Sequence, residues 1–574
     1  MYNFIFIYIY MYKFKFKNSH KINQLSFLSK EKDKLNNPFK LNTLVPQVDS
    51  KVNQEKTFII VTSKLIESIA INLKMLLTKN NVKSYITYML TDDDINNRNS
   101  NTIYIIIFNS RIDLKLPKNY IYYQVEQSNY KNLNLSSINN SDIIWDFSIK
   151  NYEKYDSDNN IKKLFYMPQP LYFEDDTNII YDKYIKYDIF FYGACNKRRE
   201  LILNKLNEKY NNKIKIGFGI FDKERDNYIK CSKIIINLHY YDDPAIETTR
   251  LNEVLQYNKL IISETSSHEY DYYNRNIYKE FVEFVDVIDR DISDLCSLID
   301  MYLNNDELYN HKIKYIKENK HKLRDISEYF LKRNLLSIIE PSKININYTL
   351  NPYNIYCLHL PETPHRYKAF TEQPNYDIIK YKIEIYPAIK YLPGWKGCAF
   401  SYINLLYNAK LSNLKQITIC EDDCCFNNDF NTKYSIILEF LQKLNNWDIF
   451  VGVISDLPQD TILMNVYSYK NMTFIEINKM HSTVFNIYNN SCFDKILEWD
   501  IKTNSTDYTI DQYIKQCNFR IIVPVPFEFS CLNVDSTLWG KNLFDEYNIL
   551  FENSNKVIEK LMDEYLQNNK IKYL

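Results

Sequence analysis

Short, unbroken apolar runs alternate along the chain with stretches of helical period. Thr57-Phe-Ile-Ile-Val-Thr62, Thr102-Ile-Tyr-Ile-Ile-Ile-Phe108 and Tyr120-Ile-Tyr-Tyr-Gln-Val125 are apolar at nearly every position, whereas Leu65, Ile66, Ile69, Leu73 and Leu76 recur along one helix face. Runs without polar alternation belong to strands covered on both sides, so residues 55–178 are predicted to form a parallel sheet flanked by helices. The pattern restarts over 179–340, with strands at Tyr187–Gly193, Lys213–Ile216, Lys233–Leu238 and Lys259–Ser263. Helices are expected from Asn196 to Leu206, from Glu247 to Gln256, and along Ser293–Ile339. Two such units leave a cleft at the carboxyl edges of their strands, where nucleotide-linked ligands bind. Pro341 to Pro352 reads as a linker, 353–545 as a third α/β region opening on the strand Asn354–Leu360, and 546–574 as a C-terminal helix. Residues 1–54 lack a sustained period and read as a poorly ordered leader. Their uncharged start is too short to span a bilayer and has neither a basic start nor a small-residue cleavage site, so a cytoplasmic protein is expected, in host cytoplasm if the source is a virus.

Composition narrows the class. A chain of 574 residues needs more than one core. Lys plus Arg equals Asp plus Glu at 71 each, so no basic footprint points to nucleic acid. Asn, Lys, Ile and Tyr abound, as in the AT-rich genome of a giant virus, and only seven glycines remain, so each tends to mark a backbone position closed to a side chain. The eleven cysteines show no zinc-like spacing and read as free thiols of a reducing compartment.

The chemistry gathers at Gln416-Ile-Thr-Ile-Cys-Glu-Asp-Asp423, an apolar strand running into three acids. Carboxylates at the carboxyl end of such a strand sit on the ligand rim. Strand alternation turns Glu421 and Asp423 to one side and Asp422 to the other, unless the strand has already ended. A carboxylate pair suits Mg²⁺ or Mn²⁺, which keeps positions open for phosphate oxygens. Three acids alone are more often a solvated turn.

Their neighbours change that balance. Leu358-His-Leu-Pro-Glu-Thr-Pro-His-Arg366, Gly394-Trp-Lys-Gly-Cys-Ala-Phe-Ser-Tyr402, the acidic triplet, His481-Ser-Thr-Val-Phe-Asn-Ile-Tyr488 and Thr509-Ile-Asp511 follow one another in the order of glycosyltransferase family 25. The region resembles that family, which includes lipooligosaccharide and collagen galactosyltransferase-like proteins of GT-A fold. The resemblance implies metal ligation by Glu421 and Asp423, with His481 as third ligand or phosphate contact, and donor binding by Asp422. Arg366 can reach a diphosphate or simply cover a helix face. Gly397 before a helix lets amides approach an anion, and Ser401 can bond within that turn. Tyr402 stands where the family has histidine. Asp511, with Asp507 second, is the candidate base for the acceptor hydroxyl, although either can be a helix-start acid.

Residues 55–340 resemble a two-Rossmann GT-B glycosyltransferase. The carrying motif is Leu238-His-Tyr-Tyr-Asp-Asp-Pro-Ala-Ile-Glu-Thr-Thr-Arg-Leu-Asn-Glu253, in which Arg250, Asn252 and Glu253 match donor-binding positions, with Gly193 ending a strand before a basic helix start. Glu247, Arg250 and Glu253 fall three apart and also fit a surface row of ion pairs. The expectation is an α/β chain, GT-B-like then GT-A-like, that transfers sugar from a nucleotide-sugar, UDP-linked, to a glycan or protein hydroxyl. The alternatives are a non-catalytic glycan- or nucleotide-binding scaffold and a transferase active only in its first half.

Overall fold

The computed structural model describes residues 56–574 apart from 98, 100, 108–114, 128–133, 156–162, 174–184, 243, 267–270, 288–289, 339–345, 501–508 and 538–540. The leader and Asp507 therefore lie outside the described residues.

The isoleucine-rich runs form the strands their continuity predicts. In the first sheet β1 (Thr57–Val61), β2 (Lys83–Thr87), β3 (Thr102–Ile107), β4 (Tyr120–Gln124), β5 (Ile143–Asp146) and β6 (Leu164–Tyr166) lie in the order 2-1-3-4-5-6. All pairings are parallel. The second sheet, also parallel, contains β7 (Tyr187–Tyr192), β8 (Ile214–Gly217), β9 (Ser232–Asn237), β10 (Leu260–Glu264) and β11 (Glu283–Val285), ordered 11-10-9-7-8. The stretch expected to be one long helix is three: Ser293–Asn304, Asp306–Asn319 and His321–Leu335. Asn305 ends the first and caps the second by accepting the Leu308 N–H, because its side chain competes with the helical backbone for hydrogen bonds.

The third sheet is mixed. Its nine strands include β12 (Ile355–His359), β13 (Ile383–Pro387), β14 (Gln416–Glu421), β16 (Ile449–Val451), β17 (Leu463–Tyr469), β18 (Met472–Ile477), β19 (Phe485–Asn489), β20 (Ile521–Val525) and β22 (Lys572–Tyr573), in the order 13-12-14-19-16-20-18-17-22. β14 runs parallel to β12 on one side and antiparallel to β19 on the other. A small ribbon joins β15 (Cys424–Cys425) to β21 (Ser530–Cys531) just beyond the triplet.

The three sheets belong to one compact unit, Gln47–Leu574. A continuous apolar core holds Phe58 and Tyr123 of the first sheet together with Tyr386, Leu405 and Ile475 of the third. The described part of the segment read as linker is laid onto the helix Gly394–Leu411: Ile346 N–H and Tyr348 N–H donate to the side chains of Asn404 and Asn408 at 2.9 and 2.8 Å. Among the described residues no helix is long and apolar enough to cross a membrane. All eleven cysteines are free thiols.

Candidate functional site

The pairing of β12 with β14 sets Leu358 opposite Glu421 and so brings the end of the first strand beside the triplet. β14 ends at Glu421, and the chain turns. That turn corrects the expectation that Asp422 points away from Asp423, since strand alternation no longer applies. Arg366 bonds both: its Nε donates to Asp422 Oδ1 at 2.8 Å, and its Nη2 to Asp422 Oδ1 and, at 3.1 Å, to Asp423 Oδ2. The remaining Nη1 is spent on the Asp535 carbonyl at 2.6 Å. Arg366 therefore holds carboxylates within the protein instead of facing a diphosphate. Asp422 is fully engaged, its Oδ2 lying 2.7 Å from His359 Nδ1. Burial opposes its charge, but Arg366 and His359 outweigh burial and hold the carboxyl down at about 2.

Glu421 and Asp423 differ from it. Burial, then the charge of Asp423, pushes Glu421 up to about 7. Burial also raises Asp423, with Asp422 adding to the rise and Arg366 working against it. Tyr402, in the place of the family's histidine, donates its hydroxyl to the Thr483 carbonyl at 2.7 Å, and the same oxygen lies 3.2 Å from Glu421 Oε1. Asp423 Oδ1 is buried on this rim without a partner, and so, near Asp511, is His481 Nε2. His481 is fixed by a backbone bridge to Asp456, and its Nδ1 lies 3.5 Å from Gln512 Nε2. Burial lowers its pKa against the pull of Asp511.

Asp511 lies in the first turn of the helix Ile510–Gln516, where its Oδ1 accepts from the Thr509 hydroxyl and the Gln512 N–H, as a helix-start acid does. The Cys398 thiol is pushed up first by burial and then by Glu421, Asp511 and Asp423, so these three carboxylates bear on one small region. Gly397 and Ser401 serve packing. A Cβ at Gly397 would lie 2.5 Å from the Ile389 carbonyl, so the loop after β13 covers this face, which an anion therefore cannot approach. Ser401 accepts from Ile389 N–H and donates to the Gly397 carbonyl, both at 2.8 Å. Among the described residues no group of three or more His, Cys, Asp or Glu side chains is gathered to hold a metal ion.

A second charged cluster lies at the carboxyl edge of the second sheet. Gly193, at φ +142°, follows β7, and a Cβ there would come within 3.0 Å of Arg250 Nη2 and 3.3 Å of Arg199 Nη1. Its missing side chain thus makes room for two guanidiniums. Arg199 enters the helix Lys197–Tyr210, capped by Asn196, and bonds the Leu238 and Ala194 carbonyls and Glu247. Burial lowers its pKa to about 10 despite Glu247. Arg250 Nη2 meets the other oxygen of Glu247 at 3.0 Å, while its Nη1 is buried without a partner. Burial opposes the charge of Glu247, but Arg250 and Arg199 hold its carboxyl well below the usual range.

The other expected contacts turn inward. Asn252 donates to the Gln169 carbonyl at 3.2 Å and accepts from the Tyr278 hydroxyl at 2.6 Å; Glu253 accepts from Tyr192 and Arg225 at 3.0 and 2.6 Å. Their buried partners, not solvent, complete their bonding. Sequence reasoning missed His239, which is 1% exposed, its Nδ1 3.8 Å from Glu247 and its Nε2 without a hydrogen bond, and Glu126 after β4. Glu126 borders solvent, but its carboxyl is hemmed in by neighbouring groups; that desolvation, then Glu247, raises it to about 7. It also missed a role for His359. Its place at the end of an apolar strand beside the triplet's strand was the available signal.

No protein-family model matches the chain. It is 32% identical over 200 residues to uncharacterized protein R358 of Acanthamoeba polyphaga mimivirus, a match covering 34% of this chain and 66% of that protein. The chain thus spans just under two thirds of that viral relative. Among solved structures it is similar to an alpha-glucosyltransferase in complex with UDP-glucose and DNA containing an abasic site (TM-score 0.35, 11% identity, 49% of this chain and 99% of the other). It is also similar to Anabaena HepE in complex with UDP and glucose (0.31, 8%, 48% and 94%) and to TarM (0.30, 10%, 41% and 54%). Overlaps this slight carry neither fold nor function.

Proposed function

We propose that the chain is a nucleotide-sugar-dependent glycosyltransferase whose carboxylate rim at the end of β14 binds the donor through Mn²⁺ or Mg²⁺. The observation that carries this reading is a surplus acceptor there: Asp423 Oδ1 is buried without a partner, and its charge bears on the buried carboxyl of Glu421. Glu421 and Asp423 would supply part of the shell, and diphosphate oxygens and water the rest, as suits a hard cation; His481 is not gathered with them. The bound ion would neutralise the departing diphosphate. Asp422 contributes indirectly, through Arg366. Asp511 has one carboxylate oxygen with no hydrogen bond identified among the described residues, and it is the proposed base for a glycan or protein hydroxyl. The family-25 motifs agree with this assignment. The donor is a UDP-sugar by that same resemblance.

A second reading concerns the first half. The unpartnered Nη1 of Arg250, beside Gly193, favours a diphosphate-binding cleft that needs no metal. Both halves would then bind donor, and the chain would be bifunctional. The deciding experiment follows hydrolysis and transfer of UDP-sugars with Mn²⁺ and with chelator. Metal-dependent turnover abolished by Asp423→Ala supports the C-terminal site. Turnover that survives both treatments assigns the activity to the first half. No turnover or nucleotide binding under any condition would leave a scaffold.

A further inference from the structure

The loop after β12 and the helix Pro364–Thr371 that carries Arg366 are gripped from outside their own sheet. His359, the last residue of β12, is 1% exposed, yet both its ring nitrogens have partners. Nδ1 lies 2.7 Å from Asp422 Oδ2, and Nε2 lies 2.7 Å from the hydroxyl of Tyr272, on the helix Tyr272–Tyr278 of the first half. An ionised carboxylate only accepts, so Nδ1 carries the proton, and in the neutral ring Nε2 is left to accept from the tyrosine. The Tyr272 ring lies flat on Tyr367 (centroids 3.6 Å apart, planes 4° from parallel), one residue beyond Arg366. A buried chain therefore runs from Tyr272 through His359, Asp422 and Arg366 to Asp423.

The same loop is clamped at Glu362. Arg333, wholly buried on the helix His321–Leu335, bonds its carboxylate at 2.9 and 2.6 Å, and the Tyr166 N–H of β6 donates to it at 2.8 Å. An interface needed only for cohesion can be apolar, because buried polar groups are costly unless each finds a partner. Tyr329 supplies the contrast: it crosses the same interface, but its hydroxyl ends on the Pro387 carbonyl at 2.6 Å. The Tyr272 chain ends on a carboxylate with an open oxygen.

We infer that Tyr272 and His359 are positioning residues for the Glu421–Asp422–Asp423 rim, so that the first half of the chain completes the site of the last. This rests on the metal-binding reading of that rim. Tyr272 orients the imidazole, the imidazole fixes Asp422, and Asp422 fixes the guanidinium that sets Asp423. The last third would then fold without a correctly set rim if separated from the rest.

The test uses the full chain and measures Mn²⁺ binding from the resonance of the free ion, alongside thermal melting. Tyr272→Phe keeps the ring stack and removes one hydrogen bond; it is expected to raise the half-saturating Mn²⁺ concentration roughly fivefold. His359→Asn leaves a donor at the Nδ1 position and His359→Gln does not, so Asn should rescue binding that Gln loses. Tyr329→Phe should lower the melting temperature without moving Mn²⁺ affinity. If the wild type binds Mn²⁺ and Tyr272→Phe and His359→Gln bind it equally well, the inference falls and the metal reading stands. Equal weakening by Tyr329→Phe also overturns it, since the effect is then general stability. A wild type that binds no Mn²⁺ overturns the metal reading and the inference together.

Discussion

The two charged clusters are built from the same residue types but leave opposite surpluses. At Gly193, Arg199 and Arg250 share one carboxylate, Glu247, and the atom left without a partner is a donor, Arg250 Nη1. At the end of β14, two carboxylates, Asp422 and Asp423, share one guanidinium, Arg366, and the atom left over is an acceptor, Asp423 Oδ1. Away from water an orphaned donor is satisfied by an anion and an orphaned acceptor by a cation. The first cluster can take a diphosphate directly, whereas the second repels one until a cation arrives. The kind of orphan, not the number of charges, separates a metal-independent site from a metal-dependent one.

The sharpest way to break this contrast is a crossed pair of variants. UDP-glucose binding is measured by calorimetry with Mn²⁺ and with chelator. Arg250→Met is expected to weaken the chelator-resistant component roughly a hundredfold, the usual cost of leaving a charged contact unmade, and to spare the Mn²⁺-dependent one. Asp423→Asn should do the reverse, removing Mn²⁺-dependent binding at comparable size. A single variant that erases both components would show one site, not two.

A smaller effect separates function from stability. Glu421 is raised in the folded chain above its ordinary value of 4.5, to about 7. A raised acid holds its proton more tightly folded than unfolded, so its contribution is fully present below the unfolded value and lost as pH rises through about 7. Glu421→Gln is therefore expected to raise the metal-free melting temperature at pH 8, by about 2 °C, with the gain shrinking toward pH 5. Mn²⁺ should raise the melting temperature of the wild type and not of the variant. A variant less stable at pH 8 would mean that Glu421 is a satisfied core carboxylate.

The contrast was only half legible in the sequence. β1, β3, β4, β7, β9, β10, β12 and β14 are continuous apolar runs, and the sheet needs them buried on both faces, so periodicity found them. β2 (Lys83–Thr87) is half-exposed at a sheet edge and lacks such a run. The β17–β18 hairpin turns on Lys470 and Asn471, both at positive φ, a turn signal hidden because lysine rarely takes that conformation. The acids and arginines were visible as candidates, but their partners were not. Arg366 meets Asp422 across 56 positions and Tyr272 meets His359 across 87, distances over which a single sequence carries no pairing information. Gly397 misled for a related reason: close packing and anion approach both demand a missing Cβ, and only the Ile389 carbonyl above it distinguishes them.

The smallest expected effect is also the most specific, because each cluster holds one carboxyl raised to about 7 and the two act with opposite sign. Burial and Glu247 raise Glu126, which stands beside the Arg199–Arg250 cluster. As pH falls through about 7 Glu126 gains a proton, a negative charge leaves the cleft, and an anion binds more tightly. Glu421 gains its proton over the same range, but there the lost charge was a ligand, so Mn²⁺ binds more weakly. UDP-glucose suits the comparison because its diphosphate carries no group that titrates near neutrality. From pH 8 to pH 6, chelator-resistant UDP-glucose affinity should rise about threefold, the scale of one partly screened charge, while Mn²⁺ affinity falls. Glu126→Gln should flatten the first profile and leave the second sloped, and Glu421→Gln should leave the first profile untouched. Two profiles of the same sign would mean that a single titrating group governs both clusters, and the opposition between them would be lost.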